Sequence, residues 1–181
     1  MEEIKLSNDV IDQIKDFDCD YHDYYYLTEE QKLLIDKLIL NEELKECYKK
    51  YGLCKECKQS NTVFDWCQQC NAKHFQQNFP NWTSGNHDID EFIQKTQLKA
   101  RNYLEVIEWV EYDRLENVEY LAKGGFGTTY KAIWKDGFIR SWDSGNNQWR
   151  RQGECKVALK CLHNSQDITA EFLREVRSFF F

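Results

Sequence analysis

Four of the eight cysteines in these 181 residues fall into a pattern with chemical meaning. "CKEC" at 54–57 and "CQQC" at 67–70 are two C-x-x-C pairs separated by nine residues. Two thiolates at that spacing on a tight turn can point at one ion, and two such turns close a tetrahedral all-sulfur site. Cys54, Cys57, Cys67 and Cys70 are therefore the expected ligands of a structural zinc. Thiolate binding would fold a segment too small to build a core of its own. With all four positions filled by sulfur, no place remains for an activated water, so a catalytic zinc is not expected. The competing readings are buried free thiols or a redox pair. His74 reads as a surface or packing histidine, and Cys47 as an apolar residue on a helix face. Cys19, Cys155 and Cys161 have no partner at ligand spacing and default to small hydrophobes.

A second cluster lies further along. "AKGGFGTTYKA" at 122–132 sits between two strand-like runs, "VALK" follows at 157–160, and "AEFLREV" at 170–176 has helical spacing. In that order, residues 117–181 resemble the beginning of a protein kinase domain, whose loop reads G-x-G-x-x-G-x-V. The resemblance implies ATP binding by Leu121, Ala122, Gly124, Gly125, Phe126, Gly127, Thr129, Ala158 and Lys160. Leu121, Thr129 and Ala158 would touch the adenine, Phe126 would cover the γ-phosphate, and Lys160 would pair with the α- and β-phosphates. Glu175 is the helical glutamate expected to hold the lysine, with Glu171 the other choice. The plain alternative leaves Lys160 an ordinary strand lysine and both glutamates solvated. Two positions depart from the pattern. Ala122 replaces the first glycine. Thr129 replaces a valine and brings a hydroxyl into an apolar pocket, so weaker nucleotide affinity is expected.

The inherited activity would be phosphoryl transfer from ATP to a protein hydroxyl. It needs a base aspartate in an H-R-D-type loop and a metal-binding aspartate in D-F-G, neither of which occurs after Lys160. The chain is therefore expected to be inactive alone, with magnesium relevant only to a complete kinase domain. The alternative is a non-catalytic zinc-binding interaction module with a vestigial lobe. A protein partner would then meet the N-terminal arm, the knuckle or the exposed sheet edge.

The elements that must position these residues are expected in an α+β arrangement: short helices and a zinc knuckle, then an incomplete kinase-like N-lobe of antiparallel strands with one helix. Residues 1–27 read as an acidic, partly flexible arm. Thr28 and Gln31 have capping-box spacing and open a helical pair over 28–51 that stops at Gly52. Residues 52–75 read as the knuckle and its turns. In 76–116, Asp88 is expected to cap a helix, and apolar spacing through Tyr103, Leu104, Ile107 and Val110 continues it. Strands follow from 117, with an enlarged hairpin at 134–156 across which Trp142 and Trp149 are expected to pair.

The net charge of −7 lies wholly in residues 1–50. That placement argues against nucleic-acid binding. No apolar run is long enough to span a membrane, and the start lacks a signal-peptide pattern. An intracellular, cytoplasmic location is expected, with the cysteines reduced. The sequon at Asn81 is then accidental.

Overall fold

The computed structural model describes residues 5–17, 27–125 and 127–162. They form a mixed α/β structure with five α-helices and two antiparallel sheets.

The described residues of the N-terminal third fold around one apolar cluster. Helix α1 (Asn8–Ile14) starts at Ser7, whose hydroxyl accepts from the Val10 N–H. Helix α2 (Glu29–Leu38) opens on a complete capping box: the Thr28 hydroxyl takes the Gln31 N–H and the Gln31 side chain takes the Thr28 N–H. Helix α3 (Glu42–Tyr51) is capped by Asn41 and closed by Gly52 at φ 67°. Leu6, Ile11, Ile14, Ile35, Ile39 and Tyr48 pack together, and the Tyr48 hydroxyl donates to the Ile14 carbonyl at 2.8 Å. An acidic, partly flexible arm was expected over 1–27, of which 5–17 and Leu27 are described. Leu6, Ile11 and Ile14 tie residues 5–17 to the core, a correction to that expectation. The Gln59 amide anchors them further, exchanging hydrogen bonds with both backbone groups of Leu6 at 2.7 and 3.2 Å.

Helices α4 (Gln68–Asn78) and α5 (His87–Lys99) pack on each other. Three expectations need correcting here. Helix α4 begins inside the second cysteine pair, so 52–75 is not all turn. Helix α5 is capped by the Asn86 side chain, which takes the Asp88 and Ile89 N–H groups, so Asp88 lies inside the helix. The helix also ends at Lys99. Its next carbonyl, that of Ala100, accepts the Trp66 indole N–H at 3.2 Å, and residues 103–114 run as two short 3-10 turns with extended chain between them. Apolar spacing persists there, but only Tyr103 and Val106 pack on the second cluster, built on Trp66, Phe75, Ala100 and Ile139, and Leu104 is exposed.

The larger sheet has the order β1-β2-β5, formed by Leu115–Gly124, Gly127–Trp134 and Cys155–Leu162. Between β2 and β5 the chain leaves to form a separate hairpin, β3 (Ile139–Asp143) and β4 (Gln148–Arg151). Trp142 and Trp149 stand directly opposite each other in it, ring centroids 5.0 Å apart. The neck of this hairpin is tight: a Cβ on Gly137, already at φ 64°, would sit 2.1 Å from the Gly153 carbonyl oxygen. No described helix is long and apolar enough to cross a membrane. The expected helix carrying Glu171 and Glu175, together with Phe126 and Cys19, lies outside the described residues.

Candidate metal centre and the glycine-loop sheet

The two cysteine pairs reach one point by different local routes. Cys54 and Cys57 sit on a turn closed by the Leu53–Ser60 bridge, with the Cys54 N–H donating to Gln59 O at 2.7 Å and Lys58 at φ 58°. A second small bridge, Val63–Trp66 with Asp65 at φ 54°, turns the chain into α4. Cys67 is the N-cap of that helix and Cys70 lies in its first turn, so the second pair is held by helical geometry.

The sulfurs converge. Cys54 and Cys70 Sγ are 3.7 Å apart, Cys57 and Cys67 Sγ are 3.6 Å apart, and all four lie within 4.8 Å of one another. A regular tetrahedron of sulfurs at the zinc–thiolate distance has edges of about 3.8 Å. The fit to a metal such as zinc is therefore close. Cys54, Cys67 and Cys70 are buried and Cys57 half-buried. A hydrogen bond from Cys54 holds the Cys57 thiol well below its ordinary range, whereas the bond to Cys54 pushes Cys67 up and burial pushes Cys70 up. Thiolates this close repel one another, and a shared cation lets all four be deprotonated together.

The remaining candidates stand apart from this cluster. His74 is a packing residue: its Nε2 meets Glu56 at 2.9 Å and its ring stacks on Trp142, centroids 3.8 Å apart. Cys47 lies half-buried on α3, its thiol pushed up by burial. Cys155 is half-buried and Cys161 exposed, both in the larger sheet.

In that sheet the register brings several expected nucleotide residues into one row. Ala122 pairs with Thr129, and Thr129 with Lys160. Residues facing across antiparallel strands share a side, so these three lie on one face, joined two residues along by Ala158 opposite Lys131. Leu121 is the extra residue of a bulge, so it and Ala122 both oppose Thr129. Along β5 this face is the exposed one, while Val157 and Leu159 on the other side are half-buried. The Gly124–Gly127 pair ends the row. Gly125 has open space where a Cβ would go, but a Cβ on Gly127 would meet the Cys161 carbonyl oxygen at 2.4 Å. That glycine is required by the close approach of β5. Lys160 is exposed, and its ammonium has no hydrogen-bond or ion-pair partner among the described residues.

Sequence reasoning missed how the metal module and the sheet meet. Trp149 stacks on Phe75 at 4.3 Å and Trp142 on His74, so the β3–β4 hairpin rests on α4. Glu108 braces it from the linker, taking the Ile139 N–H at 3.0 Å and Arg151 Nη2 at 2.6 Å. The tryptophan pair was visible in the sequence. Its docking surface, more than sixty residues earlier, had no local signal.

Comparison of the chain with protein-family models, curated protein sequences and solved structures finds no match.

Proposed function

We propose that this chain is a zinc-stabilised, protein-kinase-like ATP-binding protein, in which the four-cysteine centre is structural and the larger sheet holds the nucleotide. The reading is supported chiefly by one relationship: Thr129 and Lys160 are cross-strand partners on an open face that ends at the Gly124–Gly127 turn. On that face adenine would lie against Leu121, Thr129 and Ala158, and the Lys160 ammonium would reach the phosphates beyond the turn. Open space at Gly125 leaves its backbone free for a close approach of phosphate oxygens. The glutamate partner of the lysine remains the sequence-based choice, Glu175. The base and metal-binding aspartates of phosphoryl transfer are not among these residues, so nucleotide binding is the activity proposed for this chain itself.

The test is thermal unfolding of the full chain with and without millimolar ATP. A rise in midpoint for the wild type, removed in Lys160→Met, supports the proposal. No rise in a protein that retains one equivalent of zinc sinks it and leaves the interaction-module reading, for which the metal centre is the argument.

A further inference from the structure

The larger sheet has two outer strands, and they are built differently. β1 is broken twice in its register with β2 and holds Asn117 at φ 53°. Irregularities of that kind twist an edge away from further pairing. β5 has none: its 8 residues, Cys155–Leu162, pair with β2 one for one without a shift. On its far side no described residue bonds its backbone. A straight strand with a free row of N–H and C=O groups is a template for another strand.

The side chains say which strand. Glu154, at the bend that opens β5, is exposed, as are Lys156, Ala158 and Lys160. None of these three charged groups has an ion-pair partner among the described residues. Cys155, Val157 and Leu159 face the other way and are half-buried.

Two edge lysines ordinarily discourage self-pairing, because like charges set opposite each other are destabilising. Here the outcome depends on the register. Two copies of β5 related by a two-fold axis run antiparallel, each residue facing the one equally far from the axis. Centred on Lys156, the pairing sets lysine against lysine. Centred on Ala158, it sets Lys156 against Lys160 at both ends. Centred on Leu159, it sets Lys156 against Leu162.

Centred on Val157, it brings Lys160 beside Glu154 of the second copy, twice over, and Lys156 against Ala158. On the other face of the same register Val157 meets Val157 and Cys155 meets Leu159. Charge and apolar character agree in that register and in none of the others.

We propose that β5 is a homodimer edge, along which two chains pair over Glu154–Lys160, antiparallel and centred on Val157. The order β1-β2-β5 would continue into β5-β2-β1 of the second copy. The inference rests on the sheet edge and not on nucleotide binding. Lys160 serves in both, so the measurements are made without nucleotide. One pair of short strands buries little area, and a micromolar dimer is expected.

Sedimentation of the full chain over a concentration series tests this, and reversible dimerisation is the expected result. Glu154→Lys, an exposed change outside the β2 ladder, should weaken the dimer at least about tenfold, because both cross-pairs turn repulsive. Ala158→Glu should tighten it about fivefold by facing Lys156 of the second copy. In a pairing centred on Ala158 the same change would set two carboxylates together and weaken it. Unfolding midpoints check that each variant is folded, and should one fail, the other gives the reading. A monomer at every concentration overturns the proposal and leaves the edge to residues 163–181 or to an acidic strand of another protein. A dimer indifferent to either folded variant, or weakened by Ala158→Glu, overturns it too.

Discussion

Trp142 lies flat on the His74 imidazole, ring centroids 3.8 Å apart and planes inclined by 12°. Beside it, Trp149 stacks on Phe75 at 4.3 Å. Both receiving rings belong to α4, the helix whose start carries Cys67 and Cys70. The hairpin that leaves the larger sheet is therefore seated on the metal module.

Loss of metal should be felt across that contact. Apart from Leu53, Val63 and Trp66, the turns at 52–66 bury no large apolar side chain, so metal binding and folding are coupled there. The purified chain is expected to hold one equivalent of zinc, and chelation or Cys70→Ser should lower the unfolding midpoint and redden the tryptophan emission. Metal analysis giving less than half an equivalent would count against the site.

The stacked pair itself should be worth a measurable amount. Trp149→Ala removes a ring packed on both Trp66 and Phe75, at a cost of about 3 kcal/mol, while Trp142, packed mainly on His74, should cost less. Urea unfolding of the two variants, with zinc content held equal, measures this. A Trp149→Ala cost under about 1 kcal/mol would mean that the hairpin is not held by this contact.

The hydroxyl of Thr129 gives the nucleotide reading a gain-of-function test. If adenine lies on that face, Thr129→Val removes a polar group from an apolar contact and should tighten ATP several-fold, whereas Lys160→Met should weaken it. A fluorescent nucleotide titration separates the cases. Equal affinity in wild type and both variants would place ATP elsewhere or nowhere.

Glu108 should leave a mark in the pH dependence of stability. Burial raises its carboxyl above the ordinary range, outweighing Arg151 and the Ile139 N–H, which act to lower it. Folding therefore favours its protonated form. That contribution is complete below the unfolded value of about 4.3 and is lost as pH rises through the higher folded value. Relative to Glu108→Gln, which stays neutral, the wild type should lose stability over that window. A wild type that gains on the variant instead would show that the ion pair with Arg151 dominates.

Much of the helical architecture was legible because its signals are local. Thr28 with Gln31, Asn41 and Gly52 each satisfy backbone groups within four residues, and the cysteine spacing carries its own geometry. Helix α1 was not, because its apolar residues have meaning only against Tyr48 and Gln59, far along the chain. The true end of α5 was hidden for the same reason, since the Trp66 indole that donates to the Ala100 carbonyl lies over thirty residues away. At the glycine loop the pattern was visible and one cause was not: Gly127 answers first to the carbonyl of Cys161.

Trp134 and Cys155 face each other on adjacent strands. The chain therefore departs from the sheet and returns to it at the same rung. Everything from 135 to 154 is an excursion that the β2–β5 ladder does not need for its register. A short turn spliced across that rung should leave the sheet intact and cut it loose from the cysteine module. The junction behaves as a graft site, and the narrow Gly137–Gly153 neck is its seam.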